Sequence, residues 1–222
     1  SYTSSLSSNI TLEGFNINKI DDRLKIYSSF YQINQNNENN KTTPTVLPAM
    51  EYYTGNTIIG NYNTRGAYNL YNIFRDTGTD TLAQNQQKLS HTFFANREFI
   101  KYRSKFTLNS ELHNQIFHTE NKKIEDNDYH TGGNYRIFPI LGAGITTPFK
   151  LKNNFYDLTY EPSLNLVLAP GKSNTNKLSN EDSSNNSFSL TNFSSLNRYS
   201  GTDKLDNSKR LNYLINIYNK RI

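Results

Sequence analysis

Cysteine is absent from this chain of 222 residues, which excludes a disulfide framework and any thiolate metal site within it. Hydrophobic residues are scarce, at 34%, and the mean hydropathy is −0.77, poor material for a conventional buried core. No apolar run reaches the roughly 18 residues that a transmembrane helix needs. That leaves membrane strands open, because a spanning strand takes only about 9–11 residues and gives a weak hydropathy signal. The chain starts at Ser1 without an initiator Met, and no basic segment precedes an apolar stretch. It therefore reads as a fragment open at both ends, residues 1–222 forming one part of a single domain with no second domain beside it.

What is present points to β structure. The aromatic content of 13% argues against a disordered chain, which such a polar composition would otherwise suggest. The net charge of +5 permits acidic partners, but both signs are scattered and read first as a solvated surface. No nucleic-acid-binding motif accompanies it.

Period-two alternation recurs through the chain. Leu158, Tyr160, Pro162, Leu164, Leu166 and Leu168 fall on one face of a strand, with Asp157, Thr159, Glu161, Ser163 and Asn165 on the other. Tyr102, Phe106, Leu108, Leu112 and Ile116 alternate in the same way with Lys101, Arg103, Lys105, Thr107, Asn109 and Glu111. A helical period would smear these sets around an axis. About nine strands are expected, at 5–17, 23–33, 44–54, 60–75, 88–97, 102–118, 134–148, 155–169 and 209–219. The connections 18–22, 55–59, 98–101 and 150–154 are short, while 34–43, 76–87, 119–133 and 170–208 are long and polar, so that short and long alternate.

A soluble sandwich has no need of that rhythm. Outer-membrane barrels have it, with short periplasmic turns on one rim and longer extracellular loops on the other. A barrel also closes its backbone hydrogen bonds between strands, as hydrocarbon demands. Tyr52, Tyr53, Phe99, Tyr102, Phe149, Phe155 and Tyr156 lie near strand ends, where an aromatic girdle would sit. The expected fold class is all-β, an antiparallel transmembrane β-barrel represented in part, with 170–208 as a long extracellular loop.

The long loop and its flanks carry a family resemblance. Leu168-Ala169-Pro170, Asn180-Glu181-Asp182-Ser183 and the stretch from Thr191 through Leu196-Asn197-Arg198-Tyr199-Ser200-Gly201-Thr202-Asp203 resemble the barrel domain of the LPS-assembly family LptD. So do Thr43-Pro44-Thr45-Val46-Leu47-Pro48, Arg136-Ile137-Phe138-Pro139 with Pro148-Phe149, and Tyr160-Glu161-Pro162, in the family's order from about residue 42 to 214. The variant is most similar to alphaproteobacterial members; Lys204 stands where Arg is usual and Tyr199 where Phe is usual.

The resemblance implies a non-enzymatic outer-membrane translocon that transports lipopolysaccharide and inserts it into the outer leaflet. It also implies a lipoprotein plug like LptE, and a periplasmic bridge like LptA that docks on a jelly-roll domain with no counterpart here. Outer-membrane lipids would surround it, and no cofactor is implied. The family's lateral opening lies between its first and last barrel strands, which this fragment lacks. Another outer-membrane barrel, a porin or gated receptor, is the nearest alternative, and a secreted glycan-binding or hydrolytic β protein a more distant one.

Two groups of residues are candidate sites. Asn180, Glu181, Asp182, Ser183, Asn197, Arg198, Gly201 and Asp203, the signature loop, either contact lipopolysaccharide or a partner or only shape a loop folded over the lumen. Lys101, Arg103 and Lys105 read as one face of one strand, lumen-facing, able to meet phosphates. His91, His113, His118 and His130 form no metal-ligand pattern. Asp157 and Glu161 share a face but read as solvated rather than as a glycosidase pair. A hydrolase would have to use His91 or His118 with a nearby Ser, and no motif frames either.

Overall fold

The computed structural model describes residues 5–33, 40–152, 157–171, 174–184, 189 and 192–220. Phe155, Tyr156 and Thr191 of the sequence expectations lie outside them. Eleven strands form one antiparallel sheet: β1 (Ser5–Phe15), β2 (Arg23–Ile33), β3 (Thr45–Tyr53), β4 (Thr57–Ile59), β5 (Tyr62–Phe74), β6 (Asn85–Lys101), β7 (Ser104–Glu125), β8 (Asp128–Thr146), β9 (Phe149–Lys152), β10 (Asp157–Leu168) and β11 (Arg210–Lys220). Its order is β1-β2-β3-β5-β6-β7-β8-β10-β11, with β4 paired to β5 and β9 to β10, and it does not close on itself. The nine strands of that path are the nine expected from alternation. No α-helix occurs among the described residues.

Alternation sorts the side chains into two faces. On one, Leu89, Ile116, Tyr135, Ile137, Leu141, Leu166, Leu211 and Ile217 are exposed, continuing an apolar band from strand to strand. A soluble monomer normally exposes contiguous apolar patches of only a few hundred Å², so a band running over successive strands marks a face turned to lipid or to a partner. The other, inner face carries Gln86, Lys88, Ser90, Thr92, His113 and Gln115, all buried. What buries them is the connection between β10 and β11, whose described residues 174–184 and 192–209 lie against this face instead of extending away from it. Phe138, Ile140, Val167 and Ala169 meet Leu196 and Leu205 of the connection in a small apolar core. Each of the two leucines contributes about 1.5–3 kcal/mol by burial.

Several connections differ from the sequence expectation: 55–59 and 150–154 hold the short strands β4 and β9, and two others differ more. Residues 119–133 are not a loop: β7 and β8 continue as a ladder to Glu125↔Asp128, past the last β6 pairing at Asn85↔Glu120. Polar side chains do not prevent pairing, and Asn127, at φ 64°, supplies the left-handed turn residue. The β6–β7 link is likewise tighter than expected, only Tyr102 and Arg103, both with positive φ as a type I′ turn requires. Prolines mark the weak points of the ladder. Pro148 and Pro162 lie where β10 passes from β9 to β8, and Pro139 lies beyond Leu141, the last β8 residue paired to β10.

Candidate functional site

The inner face and its covering loop form the most elaborate polar construction among the described residues. The loop first clasps itself. Asp182 accepts hydrogen bonds from the Asp203 amide (2.8 Å), the Thr202 amide and hydroxyl (2.9 and 2.8 Å) and the Ser183 hydroxyl (2.8 Å). Asp203 answers with its Oδ2, which accepts the amides of Glu181 (2.7 Å) and Asp182 (3.0 Å). Two short segments 20 residues apart are thus joined by reciprocal carboxylate–amide bonds, the charge-assisted kind. Gly201 makes the approach possible. It sits at φ 73°, and a Cβ there would lie 2.3 Å from the Asp182 carbonyl oxygen. Asn180 closes a turn by accepting from the Ser183 amide (3.1 Å) and donating to its carbonyl (2.8 Å).

The clasp is then pinned to the sheet. The Lys88 side chain, fully buried on β6, pairs with Asp203 and donates to the Thr202 hydroxyl (2.6 Å), with Asp182 at 3.4 Å. From β5 the Tyr71 hydroxyl donates to Asp203 (2.7 Å) and accepts from Gln86 (2.7 Å). Gln86 in turn exchanges hydrogen bonds with the Ser179 backbone (2.8 and 3.0 Å). Arg75, just past β5, grips Glu181 with two guanidinium nitrogens (3.1 and 2.5 Å), both side chains almost wholly buried. Arg136 of β8 donates to Gln115, to Asn174 Oδ1 (2.9 Å) and to the carbonyls of Thr202 (3.2 Å) and Asp203 (2.8 Å). At the far side Asp206 is held between Arg198 (2.6 Å) and Arg210 of β11, and Asn212 donates to the Phe193 carbonyl (2.7 Å). Asn197 completes this end by accepting from the Asp206 amide (3.0 Å).

The electrostatics follow from these partners. Burial pushes the Asp182 carboxyl up, but Lys88 and the Thr202, Asp203 and Ser183 donors outweigh it and hold it at about 2. Asp206 is treated alike: burial raises it, and Arg198, Ser208 and Arg210 bring it to about 2. Burial raises the Asp203 carboxyl against the pull of Lys88, with the charge of Asp182 adding to the rise.

All eight signature-loop residues singled out from the sequence thus lie in one construction, and the polar side chains among them are bonded within the protein. Their sheet partners Arg75, Gln86, Lys88, Gln115 and Arg210 were not singled out. The available signal was the polar inner register Gln86-Lys88-Ser90-Thr92 on a strand whose other face carries Leu89, Phe93, Ala95 and Phe99.

The basic trio is not what its spacing suggested. Lys101 ends β6, Arg103 is in the turn and Lys105 is on β7, so the tight reversal takes them off a single strand. Lys105 pairs with Glu98 (2.8 Å) and Lys101 lies over the Tyr102 ring. Among the histidines, His91 stacks on Tyr68 and His118 is 3.7 Å from Glu120. His113 lies between Glu111 (3.0 Å) and the Thr92 hydroxyl (3.0 Å). That order resembles a nucleophile relay, but Thr92 is mid-strand between two ladders, so the neighbouring amides are committed and offer no oxyanion hole. The trio is read as part of the polar inner register.

The loop leaves two inner clefts open. One of about 530 Å³ includes Asn63, Arg65, Asn96, Asn109 and Glu111, and one of about 410 Å³ includes Tyr27, Glu51, Asn69 and Asp182. An apolar outer wall, a polar inner wall with open clefts, and a loop pinned across the interior define an arc of a β-barrel of the outer-membrane type. The chain belongs to the LptD family, LPS transport system D, whose family model matches residues 3–218. That family serves lipopolysaccharide transport and is a transport and assembly family rather than one of enzymes. No curated protein matches the chain.

Proposed function

We propose that this chain is part of the wall of an outer-membrane translocon that carries lipopolysaccharide and inserts it into the outer leaflet. The observation that carries the reading is the division of one sheet into a predominantly apolar face and a polar face with open clefts, in a chain of the LptD family. Lipid surrounds the first face. The saccharide and phosphate groups of the cargo pass the second, where Arg65, Asn63, Asn96 and Asn109 offer hydrogen bonds. The connection from Ala169 to Lys209 belongs to the extracellular rim and shapes the interior; its signature residues act by holding the loop and not by gripping cargo. A lipoprotein plug and a periplasmic bridge complete the machine outside these residues.

Site-specific photocrosslinking in growing cells tests this on the intact protein. A photoreactive residue at Asn96 or Asn109, on the inner face, should capture lipopolysaccharide, and one at Leu112, on the outer face, should not. Capture from neither inner position, or capture at Leu112 alone, would overturn the reading.

A further inference from the structure

The outer, apolar face is not uniformly filled. Across the strands from β5 to β10, Thr64, Ala95, Ser110 and Ala143 put small side chains side by side, and larger ones such as Phe93 and Leu166 rise around them. The result is an open trough of about 600 Å³ with a lining that is mostly apolar. It crosses four strand spacings, about 19 Å along the wall of the sheet. A cation stands at its edge. Arg97 occupies the same face of β6 two residues beyond Ala95, opposite Leu108 of β7 in register and just past Asn96, the last β6 residue paired to β5. Its guanidinium lies 5.7 Å from the Tyr62 ring centre and 5.2 Å from that of Phe99. Among the described residues no carboxylate pairs with it.

An apolar trough with an arginine at its edge matches one ligand shape, an acyl chain joined to a phosphate. We infer that the trough seats an anionic glycerophospholipid, one acyl chain lying over Ala95 and Ala143 and the phosphate taking the planar fork of Arg97. Tyr62 and Phe99 hold the guanidinium by cation–π contact and not by hydrogen bonds, so its donors can still turn to the phosphate. The inference rests on the membrane placement given under "Proposed function". Arg97 is four residues before the end of β6, on the rim of the tight β6–β7 turn. In outer-membrane barrels the short turns face the periplasm, where the leaflet consists of glycerophospholipid. For that reason a resident phospholipid is favoured over the phosphates of the cargo.

Native mass spectrometry of the intact protein, released from detergent with equal amounts of dimyristoyl phosphatidylglycerol and dimyristoyl phosphatidylcholine, reads the site. Because the choline lipid neutralises its phosphate with its own ammonium and the glycerol lipid does not, an unpaired Arg97 predicts retention of the glycerol lipid about tenfold over the choline lipid. Arg97→Gln should bring the two near parity while a lipid is still retained, and Ala143→Phe, which fills the trough on the lipid side, should abolish retention of both. Heat-modifiable electrophoretic mobility checks that each variant keeps its barrel. An unchanged lipid ratio in Arg97→Gln, or undiminished retention in Ala143→Phe, would sink the inference. An Arg97-dependent preference for added lipopolysaccharide over phosphatidylglycerol would overturn the choice of ligand. If the protein washes off membranes in carbonate, the membrane placement itself fails; integral protein without lipid selectivity defeats only the trough.

Discussion

Replacing Lys88 by Met tests what holds the loop across the inner face. The side chain is wholly buried, and it pairs with Asp203, itself almost wholly buried, while also facing Asp182. Methionine keeps much of the volume and removes the charge, leaving Asp203 in place with only neutral donors, the Tyr71 hydroxyl and two amides. Removing one partner of a buried ion pair costs about 3–5 kcal/mol, because the other charge stays desolvated without compensation. The loss falls on the docked state of the loop, since an undocked loop returns Asp203 to water. Its open population should therefore rise by at least about two powers of ten.

The amides of Glu181, Asp182, Thr202 and Asp203 are the reporters, because all four donate to the two carboxylates of the clasp. Hydrogen–deuterium exchange on the intact protein should show them exchanging at least about a hundredfold faster in Lys88→Met, as local opening becomes common. Amides of the β6–β7 ladder should keep their wild-type rates. Asp203→Asn should also speed exchange, because an amide group cannot accept from Tyr71 and Lys88 at one atom and from two backbone amides at the other. The two changes together should cost less than their sum, since each removes the same pair. A change of less than about threefold in Lys88→Met, worth under about 0.7 kcal/mol, would refute the claim that this pair fastens the loop.

Two further outcomes follow from the same structure. Asp206 has its folded value depressed from 3.8 to about 2, so its contribution is complete above about pH 4 and is lost as pH falls toward 2; the Arg198–Asp206–Arg210 anchor should weaken by about 2 kcal/mol over that window, read as faster exchange at the Asp206 and Ser208 amides. At the β6–β7 turn, Tyr102 and Arg103 occupy left-handed conformations at φ 52° and 61°, and exchanging them for Asn-Gly should stabilise the protein by about 1–2 kcal/mol, read as a higher urea midpoint in reversible refolding into detergent.

Alternation made the strands legible because each side of the sheet meets a different environment, so the chemistry of every second residue reports its face. It located all nine strands of the main path but misjudged the reversals that join β6 to β7 and β7 to β8. Residues 119–133 carry Asn121, Lys122, Lys123, Glu125, Asp126 and Asp128, and a polar stretch reads as a loop even where it still pairs. The Tyr102–Arg103 reversal was hidden for the opposite reason. A type I′ turn usually announces itself by Asn-Gly, and here two bulky residues that continue the alternation take its place. The signature segments were legible as a family pattern, and Gly201 as a position suited to positive φ. Their anchors were not, since Lys88 and Asp203 are 115 residues apart and nothing local to β6 names its partner.

The pairing of a polar inner wall with a pinned loop also explains how so polar a chain holds a shape. Each strand packs on its immediate neighbours in the sheet, so the strand ladders alone leave curvature to twist and to whatever joins strands further apart. The connection from Ala169 to Lys209 does join them. Asp203 receives Tyr71 of β5 and Lys88 of β6 on its side chain and Arg136 of β8 on its carbonyl, while Asp206 and Phe193 tie the same connection to β11. An apolar plug of equal size would bury more hydrocarbon, and buried ion pairs are often less stabilising than the packing that could replace them. Under the proposed function the interior passes polar cargo and so cannot be lined that way. Charges drawn from three strands and satisfied by one loop brace the arc while leaving the clefts beside it wet.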